Sequence, residues 1–432
     1  MMDIQNQRKY ILDKLIQMEN PVVVHHYDAD GITAGAIIFD FLKKKRKDVE
    51  LLGVNKLTSD IVKSIKDRNV VFVDLGSNCK EINNIKGNVV IIDHHEINHV
   101  NVRTIFNPRM FGIDGDSELC SAMSAYYITK NRGYLAIIGG IGDIQYPFKG
   151  INSIIEKEIL NGKTLIKKIY DLGFYGYFSR TIFSFLYYND SPYIKGLSFN
   201  SFGIKSLLNE LKIDENESYG DLEENLKKKI RSKIIQHIIT TGQYNILKEI
   251  FKPIYLIQNV DKRIKDARNF STLLNAVGRY NRLELAIRIA LLDKQAIEEG
   301  FKILEIHKKR IKEGIRFAMN NIQDLDSFYL VDGRKKINAN VIGSVCGMLI
   351  DEQFNKPIVG IAINEENKIK ISIRANKKIV KKIDLGNIIN EIKDELHILG
   401  GGHSIAAGAE IDEAQLDGFL KILSLKLRHG NS

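Results

Sequence analysis

Two aspartates, Asp28 and Asp30, are separated by one residue and follow directly after the apolar run VVVHH at residues 22–26. Both carboxylates can turn toward one point, because a buried strand ends there and the backbone leaves the sheet. Gly31 then lets the chain approach that point closely. Taken alone, this D-x-D-G pattern favours a turn whose carboxylates cap a helix, so its chemistry depends on what lies beside it.

Two further apolar runs end in the same way. VVFVD ends at Asp74, and NVVIID ends at Asp93, which His94 and His95 follow. Carboxylates and imidazoles gathered at one sheet edge repel one another and shift their pKa values unless cations neutralise them. Oxygen and imidazole ligands without thiolate favour Mn²⁺ or Mg²⁺ over a structural zinc ion. The sequence therefore predicts a divalent-cation site.

Asp143 lies in LAIIGGIGDIQ, where small residues allow tight packing before the carboxylate. By itself this is a weaker signal, since Gly-Asp pairs are common in turns. The cysteines are scattered and lack a C-x-x-C pair, so the sequence indicates neither a disulfide framework nor a thiolate zinc site.

The pattern of apolar residues, and with it the predicted secondary structure, changes along the chain. Residues 1–155 alternate short β-branched runs with helical patterns, which predicts an α/β domain with a parallel sheet. Residues 156–322 carry long segments with helical spacing and should be a mostly helical middle region with a connector helix. Residues 323–432 return to strand-like runs at 328–333, 356–364 and 368–375, then a Gly-rich turn at 400–402 and a helix near 412–427, which predicts a smaller α/β domain.

The net charge indicates which kind of partner the protein can bind. The chain has 432 residues with 63 Lys plus Arg against 53 Asp plus Glu, a net charge of +10 that suits a polyanionic partner. The N-terminus lacks the apolar stretch of a secretory signal, and no apolar run reaches the length of a membrane span. We expect a cytoplasmic protein without a membrane partner.

The ordered motifs resemble those of a known family. His26-x-Asp28-x-Asp30-Gly31, Asp74, Asp93-His94-His95 and Gly142-Asp143 resemble the four motifs of the DHH phosphoesterase family, which includes RecJ nucleases and family II inorganic pyrophosphatases. Leu399-Gly400-Gly401-Gly402-His403, with Ala406-Ala407-Gly408 behind it, resembles the glycine-rich motif of the DHH-associated substrate-binding domain. The likeness is strongest to archaeal RecJ-like proteins, and it covers roughly the first third and the last quarter of the chain.

The resemblance implies two divalent metal ions, Mn²⁺ first and Mg²⁺ second. One ion would be held by Asp28 and Asp74 with His26, and the other by the set Asp30, Asp74, His94 and Asp143. Asp74 would bridge the ions, Asp93 would orient the histidines, and His95 would donate a hydrogen bond to the scissile phosphate. The pyrophosphatase-type pattern places its first histidine where this chain has Val24, so His26 is the least supported ligand.

The resemblance also implies a substrate site in the cleft between two domains. Backbone N–H groups of Gly400, Gly401 and Gly402 would approach a phosphate, and His403 and Arg374 would contact it. Further contacts are expected from Ser372 and from Asn340 with Gly343, although Asn340 is equally compatible with a helix cap.

The segment at residues 262–282 combines Arg268, Arg279 and Arg282 with Asn275 and Tyr280. This mixture suits backbone phosphates and base stacking, and it is equally typical of an amphipathic helix with basic faces.

Three functions are compatible with these residues. The first is a RecJ-like exonuclease on single-stranded DNA or RNA, with replication or repair proteins as possible partners. The second is a phosphodiesterase for oligonucleotides or cyclic dinucleotides, which would use the same metals but has less need of a large helical region. The third is a replication-complex scaffold with weak or no activity, and clustered like charges argue against it because a scaffold need not keep them.

Overall fold

The computed structural model describes residues 3–162, 165–350, 354–381 and 383–429. Its contacts divide the chain into two compact units, residues 1–301 and 302–432. The three-part division of the sequence stays a prediction. Among the described residues, none of the helices combines the length and the apolar character that crossing a membrane requires.

The first unit begins with a parallel sheet in the order β2-β1-β3-β4-β5. Its strands are β1 Val22–His26, β2 Glu50–Val54, β3 Val70–Val73, β4 Val89–Ile92 and β5 Ile105–Phe106. Its helices are α1 Ile4–Gln17, α2 Ala29–Lys44, α3 Ser59–Ser64, α4 Ser121–Thr129, α5 Gly133–Gly142 and α6 Gly150–Asn161. The strands β3 and β4 are buried at every position, as expected for a sheet covered on both faces. The predicted parallel-sheet α/β architecture is confirmed.

The rest of the first unit is mostly helical around a separate core. Its helices are α7 Ile182–Tyr187, α8 Ser201–Glu210, α9 Glu224–Thr240, α10 Ala267–Arg279, α11 Leu283–Ala290 and α12 Lys294–Asn321, the last of which runs past residue 301. This region also contains an antiparallel pair of strands that the sequence did not predict, β6 Ile166–Leu172 with β7 Phe251–Ile257. Rings of Phe174, Tyr177, Phe185 and Tyr219 are buried in this core.

The second unit is a mixed sheet in the order β12-β13-β11-β10-β9-β8, covered by helices. Its strands are β8 Gln323–Asp324, β9 Tyr329–Asp332, β10 Ile358–Ile363, β11 Ile369–Arg374, β12 Leu399–His403 and β13 Ala406–Ile411. Its helices are α13 Ile342–Leu349, α14 Lys377–Val380, α15 Leu385–Leu396 and α16 Leu416–His429. Only β9 and β10 pair in parallel among the described strands of this sheet. The predicted smaller α/β domain is confirmed.

The glycine run was expected as a turn, and that expectation is wrong. Gly400, Gly401 and Gly402 lie inside the edge strand β12, where Gly401 pairs with Gly408 of β13. The reversal comes later, between His403 and Ala406. The hairpin ladder outweighs the weak strand preference of glycine, and the missing side chain lets helix α15 approach, since a Cβ at Gly400 would lie 3.0 Å from Ile389.

Candidate metal centre

The acidic motifs meet at one edge of the parallel sheet. Asp28 follows β1 by two residues, Asp74 follows β3 directly, and Asp93 follows β4 directly. The strands β1, β3 and β4 are neighbours in the sheet and run in parallel. Their carboxyl ends therefore deliver all three motifs to the same place.

Asp28 both caps a helix and faces the cluster. Its Oδ1 accepts a hydrogen bond from the Gly31 amide at 3.0 Å, and its Oδ2 lies 2.9 Å from His26 Nδ1. The two interpretations of the D-x-D-G pattern are thus compatible, because each uses a different oxygen. Gly31 is required here, since a Cβ at this position would lie 2.6 Å from the Cβ of His26.

Asp30 is buried and tied to the first turn of α4. Its Oδ2 accepts from the Ser121 amide at 2.8 Å, and its Oδ1 accepts from the Ala122 amide at 2.9 Å. Each carboxylate oxygen keeps a further acceptor position that a cation can use. Burial, reinforced by the charges of Asp74 and Asp143, raises the pKa of Asp30 well above its usual value.

Asp74 stands between two histidines. Its backbone is in the left-handed region with φ of 63°, which turns the buried side chain at the strand end. Its Oδ1 lies 3.3 Å from His94 Nε2, and its Oδ2 lies 3.3 Å from His26 Nδ1. Burial alone would raise the pKa of Asp74, but hydrogen bonds from His26 and His94 outweigh it and hold this pKa well below the usual range.

The orientation of His94 is fixed by a backbone carbonyl. Its Nδ1 lies 2.8 Å from the Gly115 oxygen, so donation from Nδ1 leaves Nε2 directed at Asp74. The ring is buried. Burial would lower the pKa of His94, but Asp74 and Asp143 raise it well above 6.5 in the absence of cations.

Asp93 is fully buried and holds both histidines of its motif. It accepts hydrogen bonds from the His94 amide at 2.8 Å, from His95 Nδ1 at 2.7 Å and, through its other oxygen, from the Ser77 amide at 2.9 Å. With Nδ1 bound to Asp93, the Nε2 atom of the partly exposed His95 is available to a ligand.

Asp143 follows α5 and completes the cluster. Its Oδ2 accepts from Gln145 Nε2 at 2.7 Å and lies 3.8 Å from His94 Nδ1. Burial raises the pKa of Asp143 to about 7, with Asp74 and Asp28 adding to the effect.

These side chains form three overlapping groups, each with ligand atoms within 4.8 Å of one another. The groups are His26, Asp28 and Asp74; then Asp74, His94 and His95; then Asp30, His94 and Asp143. Asp74 joins the first two groups and His94 joins the last two. His26, the least supported ligand in the sequence, lies in the cluster beside Asp28 and Asp74.

Among the described residues, histidines are the basic side chains that lie beside the acids of the cluster. Across the described part of the chain, no lysine or arginine forms an ion pair with the carboxylates of Asp28, Asp30, Asp74 or Asp143. The buried thiol of Cys120 borders Asp30, and burial raises its pKa well above 9, so it supplies no thiolate. Carboxylate oxygens and imidazole nitrogens in this arrangement suit Mn²⁺ or Mg²⁺.

Several supporting residues escaped the sequence analysis. Ser121 donates from its hydroxyl to Asp74 Oδ1 at 3.0 Å, and buried Gln145 also donates to the Gly115 carbonyl at 2.7 Å. Asn275, expected to contact nucleic acid, accepts at 2.9 Å from the amide of Ala29, which lies between Asp28 and Asp30. No spacing rule connects these residues with the metal motifs, so the sequence held no signal for them.

The second unit brings together several predicted substrate residues. Ser372 and Arg374 lie on one face of β11, and Gly343 of α13 lies against both, since a Cβ there would be 2.7 Å from Arg374 Nη2 and 3.2 Å from Ser372 Oγ. Ser372 also pairs with Gly408, which pairs with Gly401, so the sheet register joins the glycine strand to this face.

The remaining predicted residues of this unit differ in their surroundings. Asn340 precedes α13, and its amide donates to Asn338 Oδ1 at 2.9 Å. The N-cap of α13 is Val341, so the alternative that Asn340 caps the helix is wrong. His403 ends β12 with an exposed side chain, and the space beside Gly401 is open.

The basic residues of α10 have distinct roles in the fold. Arg268 is bound to Asp266 at 2.6 Å and donates to the Gly173 carbonyl at 2.7 Å, so its guanidinium already has internal partners. Arg279, at the end of α10, is partly exposed and has no ion pair within the described ranges. Substrate contact by either arginine stays a prediction.

Comparison with known proteins identifies two domains. Residues 20–145 match the DHH family N-terminal domain and residues 326–428 match the DHHA1 domain, which together make up more than half of the chain. An uncharacterized protein of Methanocaldococcus jannaschii is 29% identical over 438 residues, covering 97% of this chain and 96% of that protein. The single-stranded-DNA-specific exonuclease RecJ of Bacillus subtilis is 22% identical over 414 residues, covering 92% of this chain and 44% of RecJ.

Solved structures share the fold. RecJ of Thermus thermophilus in complex with Mn²⁺ superposes with a TM-score of 0.60 at 16% identity, over 99% of this chain and 55% of that one. CDC45 from Entamoeba histolytica superposes with a TM-score of 0.62 at 14% identity, over 98% of this chain and 97% of that one. This chain thus spans about half the length of these two RecJ proteins. By its two domains and its likeness to RecJ in sequence and structure, the chain belongs to the DHH phosphoesterase family.

Proposed function

We propose that this protein hydrolyses phosphodiester bonds with two metal ions and degrades single-stranded DNA or RNA from an end, as a RecJ-like exonuclease. The observation that carries the proposal is a cluster in which Asp74 and His94 each join two metal-capable groups, and in which, among the described residues, histidines rather than lysine or arginine lie beside the carboxylates. A divalent cation can displace the imidazole protons and replace them as counter-ion to the carboxylates.

The ligands divide into two sets around Asp74. Asp28, Asp74 and His26 would hold one ion, and the other would be held by Asp30, Asp74, His94 and Asp143. When bound, a pair of such ions supplies a hydroxide nucleophile at neutral pH and offsets the charge that develops on the phosphoryl oxygens. Mn²⁺ is the first candidate, supported by the Mn²⁺ complex of Thermus thermophilus RecJ, and Mg²⁺ is the second.

His95 would act on the substrate directly. Asp93 accepts from its Nδ1, so Nε2–H can donate to a phosphoryl oxygen. Burial would lower the pKa of His95, but the charge of Asp93 and its hydrogen bond raise it above 6.5. A raised pKa favours the imidazolium form, which is the stronger donor to an anion.

The second unit would contribute phosphate contacts. Arg374 and Ser372 lie on one face of β11 against Gly343 of α13, and the space beside Gly401 in the glycine strand is open. His403 and Asn340 are the remaining candidates. Arg374→Gln should raise KM for an oligonucleotide by about 10-fold or more, because a charge-assisted hydrogen bond to phosphate is lost, while kcat changes less. Steady-state kinetics with Mn²⁺ would measure this, and unchanged KM would remove Arg374 from the substrate site.

Single strands are favoured as substrate by the net charge of +10 and by the relationship to a RecJ whose name specifies single-stranded DNA. The fold shared with CDC45 supports replication or repair proteins as partners. A pure scaffold role is disfavoured, because a protein without metal chemistry has no need of several carboxylates and imidazoles gathered at one sheet edge.

A length series tests the proposal. End-labelled single strands from two to about 20 nucleotides would be digested with Mn²⁺, with EDTA as the metal-free control and a circular strand as the control for free ends. We expect stepwise product ladders on long linear strands and none on circles. Hydrolysis of only the shortest strands would instead indicate an oligonucleotide phosphodiesterase, and inactivity with every metal would indicate a scaffold.

A further inference from the structure

An arginine lies over two exposed tyrosine rings in the middle region of the first unit. The guanidinium carbon of Arg180 is 5.0 Å from the ring centre of Tyr175 and 5.5 Å from that of Tyr188. Tyr175 is 36% exposed and Tyr188 is 54% exposed. We call Tyr175, Arg180 and Tyr188 the aromatic platform.

The guanidinium N–H donors of Arg180 have no acceptor among the described residues. Within the described ranges it has no ion pair and no side-chain hydrogen bond, and its guanidinium lies over the rings of Tyr175 and Tyr188. Its stem lies over Gly176, where φ is 93° and a Cβ would be 2.6 Å from Arg180 Cδ. Burial lowers its pKa, and Asp190 is the only carboxylate among the main influences on it. A positioned guanidinium without an acceptor suits an anionic group such as a phosphate.

The platform is anchored to the same helix as the metal-bearing loop. Asn269 of α10 donates to the hydroxyl of Ser179, the neighbour of Arg180, at 2.7 Å, and Asn275 of α10 accepts from the Ala29 amide between Asp28 and Asp30. Asn269 and Asn275 are six residues apart, which is about 9 Å along the helix axis. A single helix therefore links the platform to the segment that carries the first two aspartates.

More aromatic rings continue from the platform. Tyr188 contacts Tyr187 with ring centres 4.9 Å apart, and Tyr187 contacts Phe199, which is 52% exposed, at 5.9 Å. Lys205 lies over the ring of the nearby Phe183 at 5.9 Å. Exposed rings mixed with basic groups are typical of surfaces that bind single-stranded nucleic acid, since every base has a face that can stack.

We propose that the aromatic platform binds the single strand next to the scissile phosphate, with bases stacked on Tyr175 and Tyr188 and a backbone phosphate on Arg180. The inference rests on the proposed function for its substrate class. It assigns strand binding to residues outside the metal and glycine-rich motifs, in the part of the chain that neither matched domain covers.

Binding measurements with two strands test the platform. Fluorescence anisotropy would follow a labelled oligothymidylate of about 20 nucleotides and an abasic strand of the same length, with Ca²⁺ replacing Mn²⁺ to slow hydrolysis. The variants are Tyr188→Ala and Arg180→Gln. Tyr244→Ala is the matched control, because Tyr244 is 62% exposed and lies outside the platform.

Each variant has its own expected signature. Tyr188→Ala should weaken oligothymidylate binding by about 5- to 100-fold and leave the abasic strand unchanged, because only stacking is lost. Arg180→Gln should weaken both strands and reduce the slope of log affinity against log salt by about 0.7, because one phosphate contact is lost. Tyr244→Ala should match the wild type. Wild-type affinities for both strands in Tyr188→Ala and Arg180→Gln, in proteins with unchanged thermal unfolding, would overturn the platform.

Turnover separates this inference from the proposed function. Hydrolysis of bis(p-nitrophenyl) phosphate with Mn²⁺ reports on the metal centre without a long strand, and the control variant Tyr244→Ala should retain the wild-type rate. If the wild type itself has no turnover, the proposed function fails, and the binding data still decide whether the platform holds a strand.

Discussion

Two groups of buried carboxylates in the first unit have their negative charge balanced in different ways. In the helical middle region, the carboxylate of Asp171 accepts from Tyr177 at 2.8 Å and from Tyr219 at 2.9 Å, and it lies 3.1 Å from Arg231. Its burial is balanced inside the fold by one cation and two hydroxyl donors.

At the metal centre, the carboxylates have only backbone amides, one serine hydroxyl, one glutamine amide and three imidazoles as partners. No arginine or lysine is paired with them in the part of the chain that the structure describes. The difference teaches that burial of acid alone does not mark a functional site. The mark is acid that is paired with histidine rather than with arginine or lysine, because an imidazole can give up its proton and then bind an external cation.

Removal of the shared ligand should give the largest effect. Asp74→Asn takes a charged oxygen from both ligand sets, so hydrolysis with Mn²⁺ should fall on the order of 1000-fold or more, beyond the 10- to 100-fold typical of outer-shell changes. Metal stoichiometry by isothermal titration calorimetry should fall as well. Asp60→Asn, at an exposed site, is the control. Near-normal turnover in Asp74→Asn would refute the bridging role.

The balanced group should behave as structure alone. Asp171→Ala leaves Arg231 and two buried hydroxyl groups without their shared acceptor, and it should lower the free energy of unfolding by about 3–5 kcal/mol. Urea titrations should give the same loss with EDTA and with Mn²⁺, because this carboxylate serves no metal. If the free energy of unfolding fell only in the presence of Mn²⁺, Asp171 would also serve a metal ion, and the two groups would not differ in this respect.

Asp93→Asn probes a residue that acts through another side chain. Asp93 raises the pKa of His95, so its loss should lower that pKa and move the alkaline fall in activity to lower pH. Turnover at neutral pH should fall by about 10- to 100-fold, as for other outer-shell partners. Rates measured from pH 5 to 9 would show both effects. An unmoved alkaline limb would argue against His95 as the phosphate donor.

A third acid, Asp40 on α2, should give the smallest effect of these substitutions. Its effect on the free energy of unfolding should depend on pH in a defined direction. Burial would raise the pKa of Asp40, but hydrogen bonds from Arg132, Lys44 and Asn131 outweigh it and hold this pKa well below the usual range. A depressed carboxyl pKa stabilises the fold above about pH 4, and the stabilisation is lost as pH falls further. Asp40→Asn should lower the unfolding free energy by about 1–2 kcal/mol at pH 7.

The difference between Asp40→Asn and the wild type should shrink as the pH falls below about 4, because the wild-type carboxyl then takes up a proton in the unfolded chain more readily than in the folded one. Urea titrations at several pH values would measure it. A constant difference across this range would show that Asp40 acts through packing rather than through its charge.

The sequence predicts the strands that carry the motifs because their β-branched runs end in acid. It does not predict β2, which is half-exposed, or β5, which has two residues, since neither has a distinct pattern. The glycine strand was misjudged because its ladder with β13 is a tertiary effect. Family likeness supplied the ligand sets, whereas the partners of those ligands, such as Ser121, depend on how helices pack and leave no trace in spacing.

The attachment of Asp30 to two amides of α4 has a consequence for the kinetics of metal loading. Its carboxylate is immobilised when the protein folds, so the entropy of ordering this ligand is lost before any ion arrives. The Asp30 ligand is therefore preorganised, and little of the binding free energy of an incoming ion is used to order it. Loading should then be limited by dehydration of the ion rather than by rearrangement of the chain.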